Sequence, residues 1–268
     1  SIGVRGLINI QYAISKSELY VLEANPRASR TVPFVSKATG VQLAKAAALI
    51  ASGRTVSELS AYLSQTQGPR GVSVKEAVLP FNRFRRSDGR GVDSVLGPEM
   101  KSTGEVMGVG MTFGEAFVKS QLGAGTKLPR PGDEIKKVFL TVKNADKPRA
   151  VNVARDLVEM GFELVATKGT AAAIAAAGIS VVAVNKVTEG RPHVVDMIKN
   201  NEIALVVNTV EERRNAIADS RQIRISSLLA RVTTITTIAG AEAAVQGMRF
   251  LDNLSVLSLQ DLHLQLQA

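Results

Sequence analysis

The sequence predicts an α/β protein in two parts, the second of them a doubly wound parallel sheet. Three observations carry this. Residues 137–251 alternate short apolar runs with stretches of helical length. Residues 7–25 alternate instead residue by residue, on either side of a short polar turn. Between them, residues 123–132 read Gly-Ala-Gly-Thr-Lys-Leu-Pro-Arg-Pro-Gly, the densest cluster of chain breakers, and the domain boundary is expected there. The expected division is 1–125, a linker at 126–132, and 133–268.

In residues 7–14, Ile8, Ile10, Tyr12 and Ile14 face one way and Asn9 and Gln11 the other. In residues 20–25, Tyr20, Leu22 and Ala24 oppose Glu23 and Asn25. A turn over 15–18 makes these an antiparallel hairpin. With Ser17 at its apex, Gln11 lies opposite Glu23, and directly opposed Cβ atoms are about 4.5–5.5 Å apart. The amide oxygens of Gln11 and Asn25 and the Glu23 carboxylate suit Mg²⁺ or Mn²⁺, hard cations that take a carboxylate or two plus substrate phosphates. Arg27 and Arg30 follow at once, placed to hold a phosphate or carboxylate. A solvated polar face on an edge hairpin explains the same pattern. After a loop over 26–33, a helix is expected at 41–52, ended by Gly53, then strands at 74–80 and 105–109. Thr112-Phe-Gly-Glu115 has capping-box spacing, so a helix should run over 113–122. These elements make half a fold, which further sequence should complete.

Downstream, strands are expected at 137–142, 163–166, 180–184, 203–208 and 233–237. Helices are expected at 148–160, 170–177, 192–200, 219–229 and 241–251. Ligands of such sheets bind beyond the carboxyl ends of the strands. There Thr167-Lys-Gly-Thr170 offers two hydroxyls and the amides of a helix N-terminus, an anion site by geometry and dipole. Lys147, Asn185-Lys186 and Asn208-Thr209 follow other strands, so one rim gathers groups suited to a phosphate-bearing ligand. Helix capping accounts for any one of these residues taken singly. Apart from Asp146, no Asp or Glu enters these loops before Glu189 and Glu211, so this half reads as built to bind rather than to react.

Composition narrows the function. At 268 residues, 45% hydrophobic and 21% charged, the chain is a folded, soluble protein of one large or two medium domains. The nearest approach to a membrane-length apolar run, 169–185, is Ala- and Gly-rich and fits a short helix and a buried strand. With no Cys, disulfides, thiol nucleophiles and zinc–thiolate sites are excluded. The two histidines, His193 and His263, are too far apart to suggest a metal cluster. A net charge of +9 points to anionic partners. Nucleic acid is not expected, because aromatics are only 4% and Trp is absent; small phosphorylated ligands explain the charge better. The basic run Arg83-Phe-Arg-Arg86, with Arg90, reads as a solvated loop. No initial Met or signal peptide opens the chain, which reads as the interior of a longer cytoplasmic polypeptide.

Gln11 with Glu23-Ala-Asn-Pro-Arg-Ala-Ser-Arg-Thr31, then Pro33-Phe-Val-Ser-Lys-Ala-Thr-Gly40, closely resembles the end of an ATP-grasp module. The module is the second one in the large chain of the carbamoyl-phosphate synthase family. Runs at Ser73–Phe81, Leu96–Met100 and Ser102–Gly108 support this. Ala166-Thr-Lys-Gly-Thr170 and Asn185-Lys-Val-Thr-Glu-Gly-Arg-Pro-His193 resemble that family's regulatory domain, of methylglyoxal-synthase-like fold. The resemblance implies the C-terminal part of an ATP-grasp fold followed by the doubly wound regulatory domain. It implies that Gln11 and Glu23 bind ATP and Mg²⁺ or Mn²⁺, with Asn25 a further metal ligand and K⁺ a further cation. Arg27 and Arg30 would be catalytic, near the transferred phosphate and carbamate, as a second ATP phosphorylates carbamate to carbamoyl phosphate. Glu76 matches a carboxylate near the contact with the regulatory domain, where Lys147, Thr167, Thr170, Lys186, Asn208 and Thr209 would hold UMP or IMP.

Implied partners are the rest of the large chain, a glutamine-amidotransferase small subunit and further copies of the full enzyme. The product would serve arginine or pyrimidine biosynthesis. Three departures stand out. Ornithine-regulated relatives carry Tyr-x-Thr where this chain has Thr234-Ile-Thr236, which removes the expectation of ornithine activation although Thr236 is kept. Residues 85–90 look like a short insertion, and the catalytic aspartates of true methylglyoxal synthases have no counterpart, which argues against a lyase acting on a triose phosphate. The alternative is a stand-alone nucleoside-monophosphate sensor without catalysis, for which the Gln11–Glu23–Asn25 hairpin would have no use.

Overall fold

The computed structural model describes residues 3–63, 71–81, 101–210, 214–256, 258, 260–261 and 264. The basic run at 83–90, the Leu96–Met100 motif, Glu211 and His263 lie outside them. The chain divides into two compact units, residues 1–72 with 255–268, and residues 73–254.

In the first unit β1 (Asn9–Ser15) and β2 (Glu18–Asn25) form the expected antiparallel hairpin. Its turn is tighter than the sequence predicts. Ser15 pairs with Glu18, leaving only Lys16 and Ser17, both left-handed at φ 50° and 67°. Continued without interruption, that register would put Gln11 opposite Leu22. A bulge between Gln11 and Tyr12 shifts it by one residue, so Gln11 faces Glu23 and Asn9 faces Asn25. The expected pair therefore forms by a different route. After it, α1 (Thr31–Thr39) begins inside the expected loop. Pro33 falls in its first turn, where the missing N–H costs no helical bond, and Gly40 at φ 76° ends it. Helices α2 (Leu43–Ala51) and α3 (Ser60–Leu63) follow.

The second unit opens with a two-stranded sheet of β3 (Val72–Val78) and β4 (Gly104–Gly110). Then comes α4 (Phe113–Gly123), whose Thr112 hydroxyl accepts the Glu115 N–H at 3.3 Å as the capping-box spacing requires. Residues 126–132 are packed rather than loose: Leu128 is buried, and the Thr233 hydroxyl donates to the Lys127 carbonyl at 2.6 Å.

The main sheet has five parallel strands, β5 (Lys137–Thr141), β6 (Glu163–Thr167), β7 (Val182–Val184), β8 (Ile203–Asn208) and β9 (Thr233–Ile235), in the order β7-β6-β5-β8-β9. Its helices are α5 (Lys147–Glu159), α6 (Lys168–Ala176), α7 (Val194–Lys199), α8 (Arg214–Ala230) and α9 (Ile238–Met248). Alternate strand residues serve opposite cores. Val138, Leu140, Leu164, Ala166, Leu205 and Val207 pack with α5, α6 and α9, while Phe139, Val165 and Val206 pack with α7 and α8. Both faces are thus covered, and the near-continuous apolar runs are explained. Strands β5 to β7 run outward one way and β8 to β9 the other. The direction reverses at β5, and the crevice there is where such sheets bind ligands. Thr237, expected to end a strand, instead caps α9, accepting the Gly240 N–H at 3.1 Å.

Candidate functional site

At that reversal lies a cavity of about 250 Å³, lined by the carboxyl ends of β5, β6 and β8, by the starts of α5 and α6 and by the inward side of α8. All six residues expected to hold an effector line it: Lys147, Thr167, Thr170, Lys186, Asn208 and Thr209. Four of them, Thr167, Thr170, Asn208 and Thr209, are at most 6% exposed. Buried polar groups of this kind need partners, and the strand ends supply them. The hydroxyls of Thr141 and Thr167 lie 3.1 Å apart, and Thr170 Oγ1 accepts the Val142 N–H at 3.2 Å. Thr209 Oγ1 accepts the Lys143 N–H at 3.0 Å, and Asn208 Nδ2 donates to Ser220 Oγ, also at 3.0 Å.

Because the Thr167 hydroxyl is engaged sideways, α6 opens on the cavity without a side-chain cap. Lys147 Nζ lies against its first turn, 3.5 Å from where a Cβ on Gly169 would stand. An ammonium beside an uncapped helix N-terminus, with hydroxyls around it, suits an anion by charge and by dipole. Lys186 enters from the end of β7. Its backbone N–H donates to Glu189 Oε2 at 3.1 Å, and Lys168 Nζ is 3.5 Å from the same oxygen. The backbone bond first, and the nearby lysines after it, hold the Glu189 carboxyl below its usual range. Glu189 is therefore a turn-former rather than a base. His193 is buried behind this turn, its strand bridge to Asn185 in place and its Nδ1 3.3 Å from Asp196 Oδ2.

Thr141, Lys143, Gly169, Asp219 and Ser220 also line the cavity and were not singled out in the sequence. Thr141 was findable, since it ends β5 as Thr167 ends β6. Asp219 and Ser220 were not, because α8 begins before them, at Arg214, and only its packing turns them inward.

On the hairpin, Gln11 and Glu23 are cross-strand partners, and Asn25 Nδ2 donates to Glu23 Oε1 at 2.9 Å. Glu23 and Asn25 are thus on one face of β2, as expected. The set holds one carboxylate and two amides, and no cluster of three or more His, Cys, Asp or Glu suited to a metal exists among the described residues. Such a donor set fits a hard cation whose remaining ligands are phosphate oxygens and water. The Arg27 N–H closes a turn on the Asn25 carbonyl at 2.8 Å, and Arg30 immediately precedes α1. Arg27 Nη1 donates to the Ala28 carbonyl at 3.2 Å. Glu76 Oε2 accepts from Gln121 Nε2 at 2.8 Å, tying β3 to α4.

Two family models match. The carbamoyl-phosphate synthase L chain ATP-binding domain matches residues 1–59, and the MGS-like domain matches residues 149–236. Among curated proteins, the carbamoyl phosphate synthase large chain of Ralstonia nicotianae is 58% identical over 99% of this chain. Those of Pseudomonas putida and Pasteurella multocida are 53% and 51% identical over 100% and 99% of it. This chain spans 24% of the length of each of the three. Identity above one half sustained across both units, with a family model in each, makes this chain a member of the carbamoyl-phosphate synthase large-chain family, matching its C-terminal part.

Proposed function

We propose that the chain combines phosphate-handling residues of an ATP-dependent carbamoyl-phosphate synthase with the nucleotide sensor that regulates it. The observation that carries the sensor is the cavity, which six polar residues from several strand and helix ends line, one of them, Lys147, beside the uncapped start of α6. The phosphate of UMP or IMP would sit against that helix start, between Lys147, Lys186 and the Thr167 and Thr170 hydroxyls. Asn208 and Thr209 would hold the remainder of the nucleotide.

In the first unit, Gln11, Glu23 and Asn25 would hold Mg²⁺ or Mn²⁺ against ATP. The metal would supply charge neutralisation of the phosphates. Arg27 and Arg30 would orient the transferred phosphoryl group and carbamate, and carbamate oxygen would displace ADP to give carbamoyl phosphate. The rest of the large chain, a glutamine-hydrolysing small subunit, K⁺ and an oligomeric full enzyme complete this reading. The second reading, a sensor without catalysis, draws support from the cavity being built entirely within residues 141–223.

Calorimetric titration with UMP, IMP and ornithine in turn tests the assignment. Binding of either nucleotide is expected, and failure of both would remove the sensor reading.

A further inference from the structure

We propose that β3, β4 and α4 are mechanically part of the effector-binding unit, and that the α4–α9 seam is the joint through which an occupied cavity is felt by the synthetase part. The signalling half of this proposal rests on the nucleotide-binding reading above. The seam lies outside both matched family regions, 1–59 and 149–236.

Its geometry leaves little slack. A Cβ on Gly114 of α4 would stand 2.8 Å from the Gln246 carbonyl oxygen and from the Phe250 ring. A Cβ on Gly247 of α9 would stand 3.2 Å from the side chains of Phe117 and Val118. The helices therefore meet backbone against backbone at Gly114 and against the Phe117, Val118 and Phe250 side chains, which leaves little room to absorb movement. Val118 is fully buried in the same core as Val138, Leu140, Val245 and Met248. Toward the small sheet the fit is tighter still, for a Cβ on Gly108 of β4 would come within 1.9 Å of the Ala116 carbonyl oxygen. Gln121 then holds Glu76 of β3.

Toward the cavity the chain of contacts is equally direct. Lys147 begins α5, and two residues on Arg149 makes a two-pronged pair with Glu242 of α9, Nε to Oε1 at 2.8 Å and Nη2 to Oε2. Arg249, which follows α9, reaches Asp156 Oδ1 at 3.0 Å and Glu159 Oε2 at 3.6 Å. The pairs 149–242 and 156–249 have the same sequence separation, 93 residues, so α5 and α9 run parallel and are pinned at two levels. Exposed pairs add little stability, but two of them in one register oppose sliding. A ligand that draws Lys147 inward pulls on α5, hence α9, hence α4 and the small sheet.

The test uses the complete large chain with its small subunit. Native-state hydrogen exchange at rising denaturant should show the slow amides of β4 and α4 opening together with those of β5, β8 and α9. If they open instead with residues 9–51, the joint does not exist, whether or not nucleotide binds. The signalling half is read from Gly114→Val and the milder Gln121→Leu, by UMP and IMP calorimetry alongside ATP-driven carbamate phosphorylation. Affinity should stay within about twofold while the effector-induced change in rate falls at least about fivefold, the lower end of ordinary allosteric coupling. A full response in a folded variant overturns the proposal, as does a response lost only in step with affinity. Should Gly114→Val fail to fold, Gln121→Leu decides. Absence of nucleotide binding by the unaltered enzyme would overturn the sensor reading and the signalling half with it, and the exchange pattern would still decide the joint.

Discussion

Thr170 and Lys186 approach the cavity in different ways, and their alanine variants should differ accordingly. Thr170 is 2% exposed and accepts the Val142 N–H, so its loss disturbs both the ligand and the β5 end. Lys186 is exposed and contributes chiefly charge. Losing one hydrogen bond to a charged group costs about 1.5–3 kcal/mol, so calorimetry should show UMP or IMP affinity falling roughly ten- to a hundredfold in each. Only Thr170→Ala should also lower the melting temperature. Glu189 brings a pH dependence to the same loop. Its ionised carboxylate accepts the Lys186 N–H, and its pKa is lowered from 4.5 on folding. The bond is therefore complete above pH 4.5 and lost as pH falls through the lowered value. The Lys186 amide resonance should shift in that acid window and cease to do so in Glu189→Gln. These polar residues were legible because chain order alone puts them just after strands. The hydroxyl network among Thr141, Thr167 and Thr170 was not, since it needs strands far apart in sequence to pair side by side.

Caps illustrate how far local sequence reaches at the level of elements. Thr112 was read correctly as a cap because its partner is three residues away, and replacing it by Ala should cost about 0.5–2 kcal/mol. Thr237 was read as strand and is also a cap, so Thr237→Ala should cost a similar 0.5–2 kcal/mol, seen as a lower urea midpoint at unchanged slope. The misreading arose because Thr237 has the same β propensity as Thr233 and Thr234; what ends the strand is that its pairing with β8 stops at Val207 and Ile235. Helix α1 was missed for a related reason. Pro33 looks like a breaker until its place in a first turn is known. Gly108→Ala should be harsher than either cap variant, because no rotamer relieves a Cβ at 1.9 Å from a backbone oxygen and α4 must lift from β4.

Across the whole molecule the two units bury very different amounts. Among described residues of the first, only Ala38, Ala46 and Leu59 are buried apolar groups, while Tyr12, Ile14, Leu19, Val21 and Leu22 are each more than half exposed. The second unit holds two extensive cores. Limited proteolysis should therefore cut within residues 3–63 before it cuts within residues 101–210. Because it spans only 24% of the length of its relatives, this chain alone should make no carbamoyl phosphate, and measurable turnover by it would refute that. In the complete enzyme, Glu23→Ala should abolish carbamate phosphorylation while the first ATP-driven step survives; retention of carbamate phosphorylation would remove Glu23 from the site. By itself the sequence determined the alternation of strands and helices, the parallel sheet and the polar residues at its rim, because these follow from periodicity and from side chains only a few positions apart. Strand order, the bulge that brings Gln11 to Glu23, the inward turn of Asp219 and the α4–α9 contact were decided by tertiary structure. Each depends on groups distant along the chain coming within a few ångströms, and only the packing of the cores fixes which of them meet.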